Sequence, residues 1–123
     1  MLTSSIGWIL IVSGAATAAG GLAACLFPHP VLQLVFGAKT TDGLTTFLVR
    51  HWGGLLFVVC GLTVYSAYVP STRGPILTAA VIEKFVLVVL TFSGSVKRTI
   101  AMTVIATTDG ILAILFIAYL AGL

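Results

Sequence analysis

The seventeen residues from Ile76 to Phe92, ILTAAVIEKFVLVVLTF, constrain the fold of this chain more than any other feature. At about 1.5 Å of helical rise per residue they extend roughly 26 Å, close to the hydrocarbon thickness of a bilayer. The run is apolar except at its centre, where Glu83 and Lys84 are adjacent. Charges at mid-membrane each cost about 2.5–3.5 kcal/mol on insertion scales. The run therefore predicts a membrane-spanning helix whose two charges face partners inside a protein rather than lipid.

The composition agrees with a membrane protein. Of the 123 residues, 59% are hydrophobic and 7% are charged, whereas a soluble domain has roughly 25% charged residues. The length allows a single domain over residues 1–123. The net charge of +3 comes from six basic residues, most of them near the ends of apolar runs, where they interact with lipid or set orientation. We therefore expect the lipid bilayer, and no nucleic acid, as a partner.

Three further apolar runs complete the predicted fold. The four spans are expected at residues 6–27, 44–69, 76–92 and 100–120. Pro28 and Pro30 end the first span, since proline lacks the backbone donor, and the apolar piece at residues 31–36 is predicted to lie in the interface. The turn at residues 70–75 is so short that the second and third spans must be antiparallel neighbours. The predicted fold class is all-α, a four-transmembrane-helix bundle with up-down-up-down topology.

Small residues predict where these helices pack closely. In the first span they recur at four-residue spacing, which lets a neighbouring backbone approach, and two glycines in the second span continue the pattern. The candidate helix-packing residues are Ser13, Gly14, Thr17, Ala18, Gly21, Gly54 and Gly61.

Ionisable and phenolic side chains on three spans form a candidate ligand or proton site. Its members are Glu83, Asp109, Arg50, His51, Lys84 and Tyr65. In one interpretation, Arg50 and Lys84 pair with the two acids and hold the bundle in register. In the other, Glu83 and Asp109 form the anionic centre of a small cavity, and Arg50 and Lys84 are its counter-charges. His51 and Tyr65 would then supply hydrogen bonds or relay a proton, because groups of this kind inside a membrane usually mark a functional site.

Some motifs resemble those of a known group of proteins. These are RHWGGLLFVVCG from Arg50 to Gly61, the triplet Ile82-Glu83-Lys84, and the lone aspartate of the last span, Asp109. In these residues the chain resembles small four-helix bacterial membrane proteins of the DoxX-like and DUF4345 kind. The resemblance implies a four-helix membrane bundle, and it transfers no catalytic residue.

The sequence leaves two functions open. One is binding or transport of a small molecule or ion, by a protein that is expected to be oligomeric. The other is an accessory or lipid-binding subunit of a larger membrane complex, whose charges form structural pairs. A membrane enzyme is less favoured, because no catalytic residue, metal site or cofactor can be assigned.

The predicted location is the bacterial cytoplasmic membrane. Lys39, Lys97 and Arg98 lie in the first and third turns, and Arg73 lies in the second. This distribution of basic residues favours an orientation with both termini outside.

Overall fold

A computed structural model of the protein describes residues 2–38, 42–93 and 99–122. Its helices are α1 (Leu2–Leu26), α2 (Pro28–Leu34), α3 (Gly43–Tyr68), α4 (Arg73–Ser93) and α5 (Ile100–Leu120), with a 3-10 turn at Pro70–Thr72. No strand occurs within these described ranges. The predicted all-α fold is confirmed. The turn residues Lys39, Lys97 and Arg98, on which the predicted orientation depends, lie outside the described residues.

Four of the helices are long and apolar enough to cross a membrane, so the protein is an integral membrane protein. The candidate spans are Ser5–Leu26, Gly43–Tyr68, Pro70–Ser93 and Ile100–Leu120. They agree with the four predicted spans to within a few residues, except at the start of the third. There α4 begins at Arg73, so Pro75 lies in its first turn, where a missing backbone donor costs nothing.

The two prolines after α1 end one helix and begin another. Helix α2 starts at Pro28, in the position where the fixed φ of proline suits a helix, and so the predicted interfacial piece lies largely within a short helix. After α2 the chain turns through Gly37, whose φ of 68° is in the left-handed region that favours glycine. The hydroxyl of Thr99 donates to the carbonyl oxygen of Val35, which ties this turn to the start of α5.

The bundle consists of two closely packed pairs, α1 with α3 and α4 with α5, joined through contacts between α3 and α4. The first pair crosses at glycines. A methyl group on Gly21 would stand 2.7 Å from the carbonyl oxygen of Gly53, and one on Gly53 would stand 2.5 Å from that of Gly21. Gly14 is equally close to α3, with Cys60 O at 2.9 Å from such a methyl group. The backbones therefore touch, as small residues in membrane helices allow.

This packing corrects the prediction of which glycines of α3 contact α1. A methyl group on Gly54 or Gly61 would meet no atom within 4 Å, whereas the buried neighbour Gly53 makes the contact. Successive side chains on a helix point about 100° apart, so Gly54 lies on a different face of α3 from its neighbour Gly53. On α1, Gly14, Ala18 and Gly21 are buried, while Ser13 and Thr17 are half-buried and donate to carbonyl oxygens of their own helix.

The apolar core lies in the half of the bundle that holds the start of α1 and the end of α5. Ile6 and Leu10 of α1 pack there with Leu77 and Val81 of α4 and with Phe116 of α5. The start of α1 and the end of α5 are therefore on the same side, as the up-down-up-down topology requires. Glu83 and Lys84 of α4 lie beyond this core, nearer the middle of the helix.

Candidate intramembrane charged site

An ion pair between α4 and α5 lies near the middle of the membrane. Lys84 follows the start of α4 by eleven residues, and Asp109 follows the start of α5 by nine, so both are about 14–17 Å from their helix ends. Lys84 Nζ is 3.5 Å from Asp109 Oδ1, and the two side chains are only 4% and 5% exposed. The pair is shielded from lipid and water alike, and it joins the two helices at this depth.

Glu83 lies beside this pair but forms no ion pair of its own within the described residues. Its Oε2 atom is the one buried side-chain oxygen or nitrogen in the described residues that has no hydrogen-bond partner. The residue is half-buried, and its charge interacts with both Lys84 and Asp109. With both acids ionised, the three groups carry a formal charge of −1. One carboxylate therefore remains without a counter-charge in a medium where an unpaired charge is expensive.

Helices α3 and α1 also contribute to this region. Cys60 of α3 is 2% exposed and is close enough to interact electrostatically with Glu83, Lys84 and Asp109. The hydroxyl of Thr17 on α1 interacts with the Cys60 thiol. Helix α3 thus approaches the charged centre through Cys60, and α1 interacts with that cysteine. Sequence reasoning did not include Cys60 in the candidate site.

Arg50 and His51 lie elsewhere, contrary to the expectation that they belong to this centre. Both are exposed, and Arg50 donates from Nε to the carbonyl oxygen of Cys25, 3.0 Å away, near the end of α1. His51 is stacked on Phe47, with the ring centroids 6.4 Å apart. Neither forms an ion pair within the described residues. The cause is depth, because both residues are in the first third of α3, whereas the charged centre is at mid-helix.

Tyr65 is also separate from the centre. It is 51% exposed on α3, and no hydrogen bond joins it to the charged groups in the part of the chain that the structure describes. The six candidate residues therefore divide into a central triad, Glu83, Lys84 and Asp109, and three residues that face outward.

Arg73 forms a polar cluster that sequence reasoning missed. Its Nε and Nη2 atoms donate to the carbonyl oxygens of Ser66 and Ala67, both at 2.9 Å, near the end of α3. Its Nη1 atom is 3.2 Å from the hydroxyl of Tyr119 in α5, and the guanidinium lies 5.8 Å from the centre of that ring. A cation at the C-terminus of a helix is favourable, so an arginine directly after a short turn was the available signal.

A lateral groove between α1 and α5 opens beside the centre. It has a volume of about 550 Å³ and is bordered mainly by apolar side chains, together with Ser13, Thr17 and Thr108. Thr17 interacts with Cys60, and Thr108 directly precedes Asp109. The hydroxyls of Ser13 and Thr108 already donate to carbonyl oxygens one turn earlier. The groove is thus an apolar surface that runs close to a charged interior.

The potential metal ligands of the described ranges are dispersed. No three His, Cys, Asp or Glu side chains there come together in a geometry that could hold a metal ion. Comparison with known proteins adds no assignment: no protein-family model matches the chain, and no curated protein or solved structure is significantly similar to it. The central triad is therefore the feature of the molecule from which we infer a function.

Proposed function

We propose that this membrane protein binds or transports a proton or a small cation at the Glu83, Lys84 and Asp109 triad, alone or together with a small molecule. The observation that carries the proposal is the buried Oε2 atom of Glu83, which lacks a hydrogen-bond partner within the described residues. Polar groups inside membranes are rare and usually functional.

The charge balance selects a positively charged ligand. Lys84 is already paired with Asp109, so it does not neutralise Glu83 as well. A proton or a small cation on Glu83 would make the triad neutral, whereas an anion would raise its negative charge to −2. Buried polar groups are normally satisfied, and the triad is satisfied only when something positive is added.

The surroundings of the triad favour an assembly in a lipid environment. Four helices enclose little cavity by themselves, and so we propose a homo-oligomer. The groove between α1 and α5 would give a lipid-soluble molecule access to this region from the side. We further propose the bacterial cytoplasmic membrane as the location, with both termini outside.

Flux through reconstituted vesicles tests the proposal. The purified protein would be placed in liposomes that contain a pH-sensitive dye, and proton entry would be driven by a potassium diffusion potential. Separate vesicles would test sodium and potassium uptake directly. The decisive variant is Glu83→Gln, which keeps the shape of the side chain and removes its charge. We expect it to abolish the flux while the stability of the protein is unchanged or higher, since the unsatisfied carboxylate is removed.

Asp42→Asn is the matched control. Asp42 is one of the three acidic residues of the chain and is exposed at the start of α3, where asparagine caps a helix equally well. This variant loses the same charge outside the membrane and should keep the full flux. Equal flux in the wild-type and Glu83→Gln proteins would contradict the proposal, and so would loss of flux in both variants.

A second function is favoured by the Lys84 and Asp109 pair. A mutually satisfied ion pair between two helices can be purely structural, as expected for an accessory or lipid-binding subunit of a larger membrane complex. The motifs that resemble those of DoxX-like and DUF4345 proteins are compatible with this alternative. Native mass spectrometry after gentle extraction distinguishes the two: a homo-oligomer supports the first proposal, and a stable complex with a different protein supports the second.

A further inference from the structure

Arg50 presents an incompletely bonded cation at the membrane surface. Among the described residues its guanidinium makes one hydrogen bond, from Nε to the carbonyl oxygen of Cys25. This bond fixes the orientation of the guanidinium and leaves the two Nη groups available on an exposed side chain. The chain contains three acidic residues, and none of them pairs with Arg50. Asp42 accepts the amide of Thr45, and the other two are in the central triad.

The depth of Arg50 explains why it needs a partner. Helix α3 has 26 residues and is about 39 Å long, so when centred it extends roughly 4–5 Å beyond each side of a 30 Å hydrocarbon layer. Arg50 is seven residues after Gly43, which places its Cα about 6 Å inside that layer. A side chain of this length reaches back to the boundary of the headgroups. The free Nη groups therefore lie where lipid phosphates begin.

The surroundings of Arg50 form a cleft suited to an anion. Its volume is about 520 Å³, and it is bordered by residues of α3 and by Cys25 of α1. His51 and Thr46 add polar side chains, and the imidazole of His51 lies parallel to the ring of Phe47. No carboxylate borders the cleft within the described residues. Guanidinium groups bind phosphate oxygens in a bidentate manner, so two free Nη groups match this geometry.

We propose that the Arg50 and His51 cleft binds a phosphate group, supplied by the headgroup of an anionic phospholipid at the end of the bundle where α3 begins. Arg50 binds the phosphate through its Nη atoms, and His51 and Thr46 border it. This site is separate from the central triad and does not depend on the function proposed there. Its role is to bind lipid specifically at one end of α3.

Lipid binding to the purified protein in detergent tests this site. Phosphatidylglycerol would be titrated against the wild-type protein and against Arg50→Gln and Arg50→Lys, and the bound lipid would be counted by native mass spectrometry. We expect Arg50→Gln to weaken binding by about tenfold or more, because hydrogen bonds to a charged group are lost. Arg50→Lys keeps the charge but loses the planar fork, so its affinity should lie between the two.

Arg73→Gln is the charge-matched control, because all three guanidinium nitrogens of Arg73 have partners inside the protein. It should keep wild-type lipid affinity even where its stability is lower, and Glu83→Gln should also keep it. Wild-type affinity in Arg50→Gln protein that keeps its helical circular dichroism would overturn the proposal, as would an equal loss in Arg73→Gln.

Two further probes identify the source and the chemistry of the anion. Failure of millimolar inorganic phosphate to displace the lipid supports a headgroup site, whereas displacement at low concentration supports the phosphate chemistry but assigns it to a soluble ligand. Oleate carries a carboxylate instead of a phosphate. If it binds as tightly as phosphatidylglycerol with the same dependence on Arg50, the site is not specific for phosphate and the proposal is wrong.

Discussion

The ion pair between Lys84 and Asp109 makes a quantitative prediction about stability. At 3.5 Å, the attraction between two unit charges is about 5 kcal/mol with an effective dielectric constant of about 20. Desolvation of both groups offsets much of this attraction, but removal of one partner leaves the other buried and unpaired. We therefore expect Lys84→Met to lower the free energy of unfolding by about 3–5 kcal/mol.

The neighbouring carboxylate makes the two single substitutions unequal. Lys84→Met leaves both Asp109 and Glu83 without the cation that interacts with them. Asp109→Leu leaves Lys84 with the adjacent Glu83, so we expect a smaller loss of stability. The double variant Lys84→Met with Asp109→Leu removes both charges and fills the space with apolar groups. It should recover the part of the loss that comes from Asp109, because buried ion pairs replaced by apolar residues are often neutral or stabilising, whereas Glu83 still lacks the cation.

Unfolding in mixed micelles measures these differences. The fraction of denaturing detergent would be raised stepwise while far-ultraviolet circular dichroism follows the helices, and the four proteins would form a double-mutant cycle. A loss below about 1 kcal/mol for each single variant is typical of exposed pairs and would refute the reasoning. Strictly additive effects would refute it as well, since they would mean that the two charges do not interact.

Two further predictions concern the packing and the capping of α3. Gly53→Ala should lower stability by about 1–3 kcal/mol, because the added methyl group would stand 2.5 Å from the carbonyl oxygen of Gly21; Gly54→Ala, whose methyl group meets nothing, should be neutral in the same detergent titration. The hydrogen bonds that Thr45 makes to Asp42 lower the pKa of this carboxyl below its usual 3.8. The ionised carboxylate therefore stabilises the folded protein fully above about pH 4. This stabilisation is lost as the pH falls through the lowered pKa. Hydrogen exchange of the Thr45 amide, corrected for its intrinsic rate, should therefore accelerate in acid in the wild-type protein; an identical acceleration in Asp42→Asn would contradict this cause.

The architecture could be predicted from the sequence because the membrane restricts the possibilities so strongly. Runs of about twenty apolar residues must be helices that satisfy their own backbone groups. Short turns then determine which helices are antiparallel neighbours. The start of α4 at Arg73 was missed because Pro75 looked like the end of a turn, although proline is equally common in the first turn of a helix.

The site was predicted only in part, because Arg50 and His51 lie at another depth than the centre, and because rotation about a helix axis cannot be read from a sequence. Glu83, Lys84 and Asp109 were all named as candidates, but adjacent residues on a helix point about 100° apart. Which of Glu83 and Asp109 pairs with Lys84 depends on how α4 and α5 turn towards each other. For the same reason, Gly54 was predicted to contact α1, whereas Gly53 is the glycine that does.

Arg73 bears on how the helices of the chain are joined. Two of its acceptors, the carbonyl oxygens of Ser66 and Ala67, belong to the α3–α4 hairpin, whereas the third, the hydroxyl of Tyr119, belongs to α5. The hairpin alone therefore satisfies two of the three guanidinium nitrogens and orients the side chain. Helix α5 completes the set, so Arg73 links the hairpin to the last helix at one end of the bundle.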